Sequence, residues 1–177
     1  IVFGNNDTPG VMLSSAAKEY LKVYGVLVGK NPVVFTNNDS GYETAIEFKK
    51  HGIDPIILDT RKDPHSEIIE EAKNLGIDIK FSHVVVAAQG YKKVKSADIA
   101  KISENKEELG EIENIKCDCI CVSGFWTPTI HLASQSGNKT KFKEDIDAFV
   151  PGISKQNEKT IGAANGSFSL DETLKSS

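Results

Sequence analysis

The first half of the chain alternates two hydrophobic patterns, one with helical spacing and one with strand-like spacing. In residues 11–24 the apolar side chains recur three and four positions apart, which predicts a helix that ends at Gly25. Beyond it, short β-branched and aromatic runs alternate with amphipathic stretches. They predict strands at residues 33–35, 53–59 and 77–81 and helices at residues 42–50 and 64–75. Because parallel strands need crossovers of roughly a dozen or more residues, this order predicts a parallel sheet in an α/β fold.

The pattern changes after His83, where short apolar segments follow one another without helical spacing between them. They predict a small antiparallel β-meander at residues 84–88, 91–94, 97–102 and 111–115. The charged residues 104–108 are predicted to form a solvated hairpin loop. A further strand is predicted at residues 117–122, and a helix is predicted from Leu170 onwards.

Composition and charge disfavour two classes of partner. The chain has 177 residues, enough to bury a core without disulfides, and a net charge of −4. Such a charge, with Lys and Arg spread along the chain, does not attract phosphate backbones or an anionic membrane surface. The longest apolar runs are far shorter than the ~20 residues of a membrane span. We therefore expect that the chain binds neither nucleic acid nor a membrane and that it is cytoplasmic. Its start at Ile1, before a turn-rich stretch, is typical of a piece of a longer polypeptide.

A turn between the first strand and helix of the predicted sheet stands where a dinucleotide fold carries its glycine-rich loop. It reads TNNDSG over residues 36–41, and Asp59 lies about 20 residues on, where a ribose-binding carboxylate belongs. Only the third glycine position, Gly41, is filled, while Asn38 adds bulk and Asp39 adds negative charge beside the phosphates. The candidate cofactor-binding residues of this degenerate site are Thr36, Asn38, Asp39 and Gly41. The alternative is a retained scaffold turn, in which Gly41 serves close helix packing.

A second candidate segment is rich in small residues and precedes the predicted C-terminal helix. It reads GAANG over residues 162–166 and follows a β-like Thr160-Ile161. Such a segment lets a helix N-terminus approach an anion closely. Near the end of another predicted strand, Phe125 and Trp126 are interpreted as a ligand platform or as a surface that docks a partner domain.

Three cysteines within five positions raise the question of a metal site. On a strand, Cys117, Cys119 and Cys121 are expected to share one face. Zinc sites use Cys-x-x-Cys pairs with further ligands elsewhere, a pattern that is absent from the sequence. We therefore expect the three to be small buried hydrophobic side chains, and we assign no catalytic and no metal-binding residue.

Five longer strings are specific rather than generic. They are NNDTPGVM at residues 5–12, VVFTNNDS at 33–40, VSGFWTP at 122–128, HLASQS at 131–136 and FVPG at 149–152. Together they resemble the alpha subunit of heterotetrameric sarcosine oxidase, and the similarity covers nearly all 177 residues. Subunits of that family are much longer, so the chain resembles their central portion.

The resemblance implies a fold and a domain organisation. The fold is an FAD/NAD(P)-binding Rossmann-like domain, with a parallel sheet, helices and a small antiparallel β-meander. The implied parts are an N-terminal helix and linker over residues 1–30, a degenerate NAD-type domain over 31–126 and a return segment of the FAD-type domain over 127–177. The resemblance also matches one segment to a Gly-Asp-Ala motif that approaches the dinucleotide, with Ala163 in place of the acid. The matching residues, also candidates for cofactor binding, are Gly162, Ala163, Ala164 and Asn165.

The resemblance further implies an activity for the whole enzyme. Enzymes of this family demethylate sarcosine oxidatively, giving glycine, hydrogen peroxide and a one-carbon unit that is passed to tetrahydrofolate. NAD is implied in the full-length alpha subunit, and FAD and FMN on, or shared with, the beta subunit. The implied partners are the other domains of the same subunit and the beta, gamma and delta subunits.

Two functions are compatible with these residues. The first is a dinucleotide-domain scaffold that is catalytically inactive alone, because the first glycine-rich loop and a folate domain are missing from the sequence. The second is an active NAD(P)H-dependent reductase domain of the disulfide-reductase fold, or of an amino-acid or opine dehydrogenase complex. Asn38, Asp39 and the lack of a Cys-x-x-Cys pair argue against the second.

Overall fold

The computed structural model describes residues 1–103 and 109–176, so the hairpin loop predicted at residues 104–108 lies outside the described residues. The chain divides into two compact units, Ile1–Gly124 and Phe125–Ser177. Across the described residues, no helix combines the length and the apolar character that crossing a membrane requires.

The first unit contains two sheets and three helices. Its strands are β1 (Val11–Leu13), β2 (Pro32–Thr36), β3 (Ile56–Asp59), β4 (Asp78–Phe81), β5 (His83–Gln89), β6 (Ser96–Ile102), β7 (Leu109–Lys116) and β8 (Cys119–Ser123). Its helices are α1 (Ser14–Tyr24), α2 (Ser40–Lys50) and α3 (Glu67–Asn74). The parallel sheet has the order β1-β8-β2-β3-β4, and the antiparallel sheet has the order β5-β6-β7. The predicted parallel sheet and antiparallel meander are both confirmed.

The parallel sheet is buried on both faces, because side chains alternate along each strand and each set packs into a different apolar cluster. In β2, Val34 packs with the helices α1, α2 and α3 in one cluster. Its neighbours Val33 and Phe35 join the other cluster, with residues of the antiparallel sheet such as Ile99. The first unit is therefore built in three layers: helices, parallel sheet and antiparallel sheet.

Two sequence-based assignments were wrong. Val11–Leu13 is a strand that pairs in parallel with β8, and the helix begins only at Ser14. The periodicity of residues 11–24 fits a helix, but pairing with β8, which is distant in sequence, overrides it at the start. Residues 91–94, predicted as a strand, form a bend, where the Val94 amide donates to the Pro9 carbonyl and the Lys95 amide to the Gln89 carbonyl.

The second unit is smaller and has few buried apolar side chains. It contains α4 (His131–Gln135), an antiparallel pair of β9 (Thr140–Lys143) and β10 (Ala148–Pro151), and α5 (Leu170–Ser176). Short 3-10 helices occupy Glu144–Ile146 and Gly162–Asn165. The helix predicted from Leu170 onwards is confirmed. The buried hydrophobic side chains of the second unit, among the described residues, are Ala133, Ala148 and Val150.

The boundary between the units lies after Gly124, and β1 and α1 pack within the first unit. The assignment of residues 1–30, 31–126 and 127–177 to a linker, an NAD-type domain and an FAD-type return segment stays a prediction.

Candidate functional site at the carboxyl edge of the parallel sheet

The last residues of three neighbouring strands lie side by side at one edge of the parallel sheet. Thr36 at the end of β2 is in register with Asp59 of β3 on one side and with Ser123 of β8 on the other. Strand order reverses here, because β3 and β4 extend from β2 in one direction and β8 in the other. In open α/β sheets, ligands bind outside the carboxyl ends of the strands at such a reversal. This edge is therefore the candidate site, and it contains the predicted loop at residues 36–41.

Gly41 holds α2 close against the end of β2. A Cβ atom at this position would lie 2.6 Å from both Cβ and Oγ1 of Thr36, which no real side chain tolerates. The glycine is thus required for close packing between helix and strand, the scaffold role that the sequence left open beside cofactor binding.

The loop between β2 and α2 is held by its own side chains. Asn38 Oδ1 accepts from the Ser40 amide at 2.9 Å and from Ser40 Oγ at 2.6 Å, a local side-chain turn just before α2. Asn38 Nδ2 donates to the Gly124 carbonyl, and Ser40 Oγ lies 2.8 Å from Ser123 Oγ. The crevice between the ends of β2 and β8, where a dinucleotide crosses the sheet edge in this class of fold, is therefore bridged by hydrogen bonds.

Asp59 is fully buried and has four hydrogen-bond donors. Tyr42 Oη donates to Oδ2 at 2.7 Å. Arg61 donates its amide and Nε to Oδ1 at 2.9 and 3.1 Å, and Nη2 to Oδ2 at 2.8 Å. Nη1 of the same guanidinium lies 2.8 Å from Oδ1 of Asp39. This contact is an ion pair, but its geometry is not that of a hydrogen bond.

The charges of this cluster support one another. Burial raises the pKa of the Tyr42 phenol above its ordinary value, and its hydrogen bond to Asp59 raises it further, so this group acts as a donor. Burial opposes the charge of Arg61, but its hydrogen bonds to Asp59 and the nearby negative charges of Asp59 and Asp39 outweigh burial and raise the Arg61 pKa. Tyr42, Arg61 and Ser123 were not singled out in the sequence, although Arg61 stands only two residues after the acid.

The residues present do not fit a dinucleotide at this edge. A bound ribose needs free acceptor positions on the acid at the end of β3, and the Asp59 oxygens already accept from Tyr42 and Arg61. A pyrophosphate needs backbone amides exposed by glycines, and here Asn38 and Ser40 fill the crevice. Thr36, Asn38, Asp39 and Gly41 lie together at the sheet edge, but in a closed arrangement.

The segment Gly162–Asn165 forms a 3-10 helix whose geometry is explained within the second unit. Gly162 has a φ of 66° and Gly166 a φ of 79°, which favour glycine. A Cβ atom added at Gly166 would lie only 2.7 Å from Ile146 Cδ1. The α5 helix that follows is capped by Ser169 Oγ, which accepts from the Glu172 amide at 3.2 Å. Asp171 and Glu172 lie in its first turn, so its charges oppose an anion there. Cofactor binding by Gly162, Ala163, Ala164 and Asn165 stays a prediction.

The cysteines are free thiols buried in the core. The expectation that all three share one face was wrong, because Cys117 precedes β8 and packs in the cluster of the antiparallel sheet. Cys119 and Cys121 pack on the helix side, with their sulfurs 3.6 Å apart. No group of three or more His, Cys, Asp or Glu among residues 1–103 and 109–176 is arranged to hold a metal.

In the second unit, Phe125 and Trp126 are exposed, and the Trp126 ring packs against Phe168 at 6.3 Å between centroids. Their use as a ligand platform or docking surface stays a prediction.

Solved structures place this architecture in a class. The chain superposes on the HOCl-induced flavoprotein disulfide reductase of Escherichia coli with a TM-score of 0.68 and 13% identity, covering 99% of this chain and 39% of that one. Thioredoxin reductase of T. acidophilum gives a TM-score of 0.64 and 15% identity, over 92% of this chain and 56% of that one. The fold is therefore that of the FAD/NAD(P)-binding oxidoreductases, as predicted.

The sequence itself matches one particular subunit. The chain is 34% identical over 176 residues to sarcosine oxidase subunit alpha of Corynebacterium sp. (strain P-1), and 34% identical over 166 residues to that of Rhizobium meliloti (strain 1021). These matches cover 98% and 93% of this chain but only 18% and 16% of the relatives. No family model matches the chain. Nearly the whole chain thus corresponds to a segment of the sarcosine oxidase alpha subunit, which confirms the resemblance noted in the sequence.

Proposed function

We infer that the chain is a scaffold segment of a sarcosine oxidase alpha subunit-like protein and binds no dinucleotide at its own sheet edge. The observation that carries this proposal is the closed edge, where Arg61 and Tyr42 fill the acceptor positions of Asp59 and Asn38 bridges to Gly124. A site whose polar groups are already paired gains little from a ligand that has to displace those pairs.

The whole protein, in this proposal, takes part in the oxidative demethylation of sarcosine with transfer of the one-carbon unit to tetrahydrofolate. The segment itself supplies no catalytic residue and is inactive alone. NAD is held elsewhere in the full-length subunit, with backbone contacts from Gly162–Asn165, and FAD and FMN are on, or shared with, the beta subunit. The partners are the remaining domains of the subunit and the beta, gamma and delta subunits, in the cytoplasm.

Two findings support the proposal beyond the closed edge. The sequence match runs across both units, so the second unit belongs to the same parent segment. The chain spans only 16 to 18% of the length of these relatives. We expect such a segment to contribute to the packing and positioning of other parts of the protein rather than to supply catalytic residues.

Titration of the 177-residue chain with NAD and with NADH tests this function. A ligand present at a hundredfold over its Kd stabilises a protein by ~2.7 kcal/mol, which is readily seen as a rise in Tm. We expect no saturable heat in calorimetry and no change in Tm with either nucleotide.

Asp39→Lys is the matched variant, because it replaces the negative charge in the loop that a bound pyrophosphate would contact by a positive one. A saturable rise in Tm for the natural chain, which Asp39→Lys should then strengthen, would overturn the scaffold function. It would favour the NAD(P)H-dependent reductase instead.

A further inference from the structure

Arg61 joins the two acids that a dinucleotide would meet at the sheet edge. Its amide, Nε and Nη2 donate to the buried Asp59, the acid at the ribose position, at 2.8 to 3.1 Å. Its Nη1 lies 2.8 Å from Asp39, the acid in the phosphate loop. The guanidinium is about one-third exposed, while the carboxylate beneath it is fully buried.

The chemistry of this contact matches that of a bound ribose. The diol of an adenosine nucleotide presents two hydroxyl donors to the acid at the end of the second strand of such a fold. A guanidinium presents parallel N–H donors in a fixed fork and binds both oxygens of a carboxylate at once. Arg61 therefore uses the acceptor positions that the diol requires, and its side chain reaches solvent whereas the Asp59 side chain does not.

We propose that Arg61 is an internal plug of the ribose position, and that its removal opens Asp59 to the ribose diol of NAD. This inference rests on the proposed function, because it assumes that the natural chain binds no dinucleotide at this edge. The plug also explains how a buried carboxylate persists here without a ligand, since the arginine supplies the charge and the hydrogen bonds that burial demands.

The phosphate side of the site needs a second change. Once Arg61 is removed, Asp39 loses its cationic partner and faces the pyrophosphate with an uncompensated charge. The double variant Arg61→Ala with Asp39→Asn removes the guanidinium and this charge, and Gly41 still allows α2 to approach closely. The hydrogen bonds of Asn38 and Ser40 across the crevice remain, so this variant tests the ribose position rather than the pyrophosphate position. NADP is expected to bind more weakly than NAD, because its 2′-phosphate would face the Asp59 carboxylate.

The experiment is calorimetric titration with NAD and NADP of five chains. They are the natural chain, Arg61→Ala, Arg61→Ala with Asp39→Asn, Arg61→Ala with Asp59→Asn, and the control Lys50→Ala. The control removes a surface cation that pairs with Glu71 at the far end of α2, at 3.1 Å. Because the natural chain is expected to give no saturable heat, we expect saturable NAD binding at least tenfold tighter than the weakest affinity that the titration resolves for the Asp39→Asn double variant, and none for the control. The Asp59→Asn double variant should lose this binding, because an amide does not accept from both hydroxyls.

The outcomes separate this inference from the proposed function. NAD binding that is equally tight in the natural chain and all variants would contradict the proposed function and the plug together. If neither the natural chain nor the Arg61 variants gave saturable heat with NAD, only the proposal that Arg61 is a plug would be overturned. Should Arg61→Ala fail to fold, Arg61→Lys keeps a charge beside Asp59 but loses the fork. It is expected to bind NAD a few-fold tighter than the weakest affinity that the titration resolves, and no binding by a folded Arg61→Lys would also overturn the plug.

Discussion

Asp59 and Cys117 are both buried, but Asp59 has neighbours that compensate a negative charge and Cys117 has neighbours that oppose one. The Asp59 carboxylate is fully buried but has an arginine and a phenol as donors, so its charge is compensated in place. The Cys117 thiol is only 3% exposed, and Asp118 and Cys119 beside it carry or acquire negative charge. Its burial, together with these neighbours, raises the Cys117 pKa from 9.0 to about 12. Residue type alone does not separate these two cases, since the neighbours decide whether a buried group has compensating donors.

The raised Cys117 pKa predicts a loss of stability at alkaline pH. Between pH 9 and about pH 12 the unfolded chain releases the thiol proton while the folded chain keeps it. The free energy of unfolding should therefore be unaffected by this group below pH 9 and should fall as pH rises through the window. Urea unfolding of the natural chain and of Cys117→Ala from about pH 8 to about pH 12 measures this, and the variant should fall less steeply.

The pH range below 9 is the internal control for this comparison, because the two chains should run parallel there. Cys117→Ser provides a second non-ionising variant that keeps a polar side chain of similar size. Equal slopes for all three chains above pH 9 would mean that the Cys117 thiol does not govern the alkaline loss.

At the level of elements, the order of strands and helices followed from local pattern, whereas pairing between distant segments did not. Strands β2 and β3 are short, mainly apolar runs, and β4 alternates charged and apolar residues, so period and composition identify all three. Val11–Leu13 has a helical spacing, and only its pairing with Ile120 to Val122 makes it a strand. The loop at residues 36–41 was identified from its place between a strand and a helix. Its closure depends on Arg61, Ser123 and Gly124, which approach it only in the folded chain.

Contact between β2 and α2 depends on Gly41. Replacing it by Ala places a methyl group 2.6 Å from Thr36, so helix and strand have to separate. We expect a loss of about 1–3 kcal/mol in the free energy of unfolding, as for other overpacked sites. This loss is expected even though Ala is the better helix former by about 1 kcal/mol. Urea unfolding at neutral pH is the measurement.

Gly110→Ala is the matched control for this substitution. Gly110 lies in the edge strand β7, where the nearest atom to a new Cβ is the Lys101 carbonyl oxygen at 3.3 Å. A change of at most about 1 kcal/mol is expected there, because the Lys101 carbonyl has to shift by only a few tenths of an ångström and Ala is the better residue within a strand. If Gly41→Ala were as neutral as this control, the close approach of α2 to β2 would not be essential to the fold.

For the molecule as a whole, both apolar clusters lie within residues 1–124. The second unit has 53 residues and only Ala133, Ala148 and Val150 as buried hydrophobic side chains in its described part. A unit smaller than ~70 residues gains only a few kcal/mol from its core and is often stabilised by disulfides, whereas the three cysteines all lie in the first unit. The sequence indicated the α/β class of the first unit, but it did not reveal how unequally the core is shared, because burial depends on tertiary contacts.

This unequal distribution predicts that residues 1–124 fold alone and residues 125–177 do not. The larger fragment should give one cooperative urea transition, since it keeps every residue of both clusters, and the smaller fragment should give a gradual, non-cooperative change in circular dichroism. Ile57→Ala in the larger fragment is the control, because Ile57 is fully buried in the helix-side cluster and its truncation should cost about 2–5 kcal/mol. A larger fragment that binds a hydrophobic dye and lacks a cooperative transition would show that the first unit needs the second to reach a fixed core. A sharp transition in the smaller fragment would show instead that its stability comes from polar contacts, such as those of Asn138 with Glu158 at 2.8 Å, rather than from apolar burial.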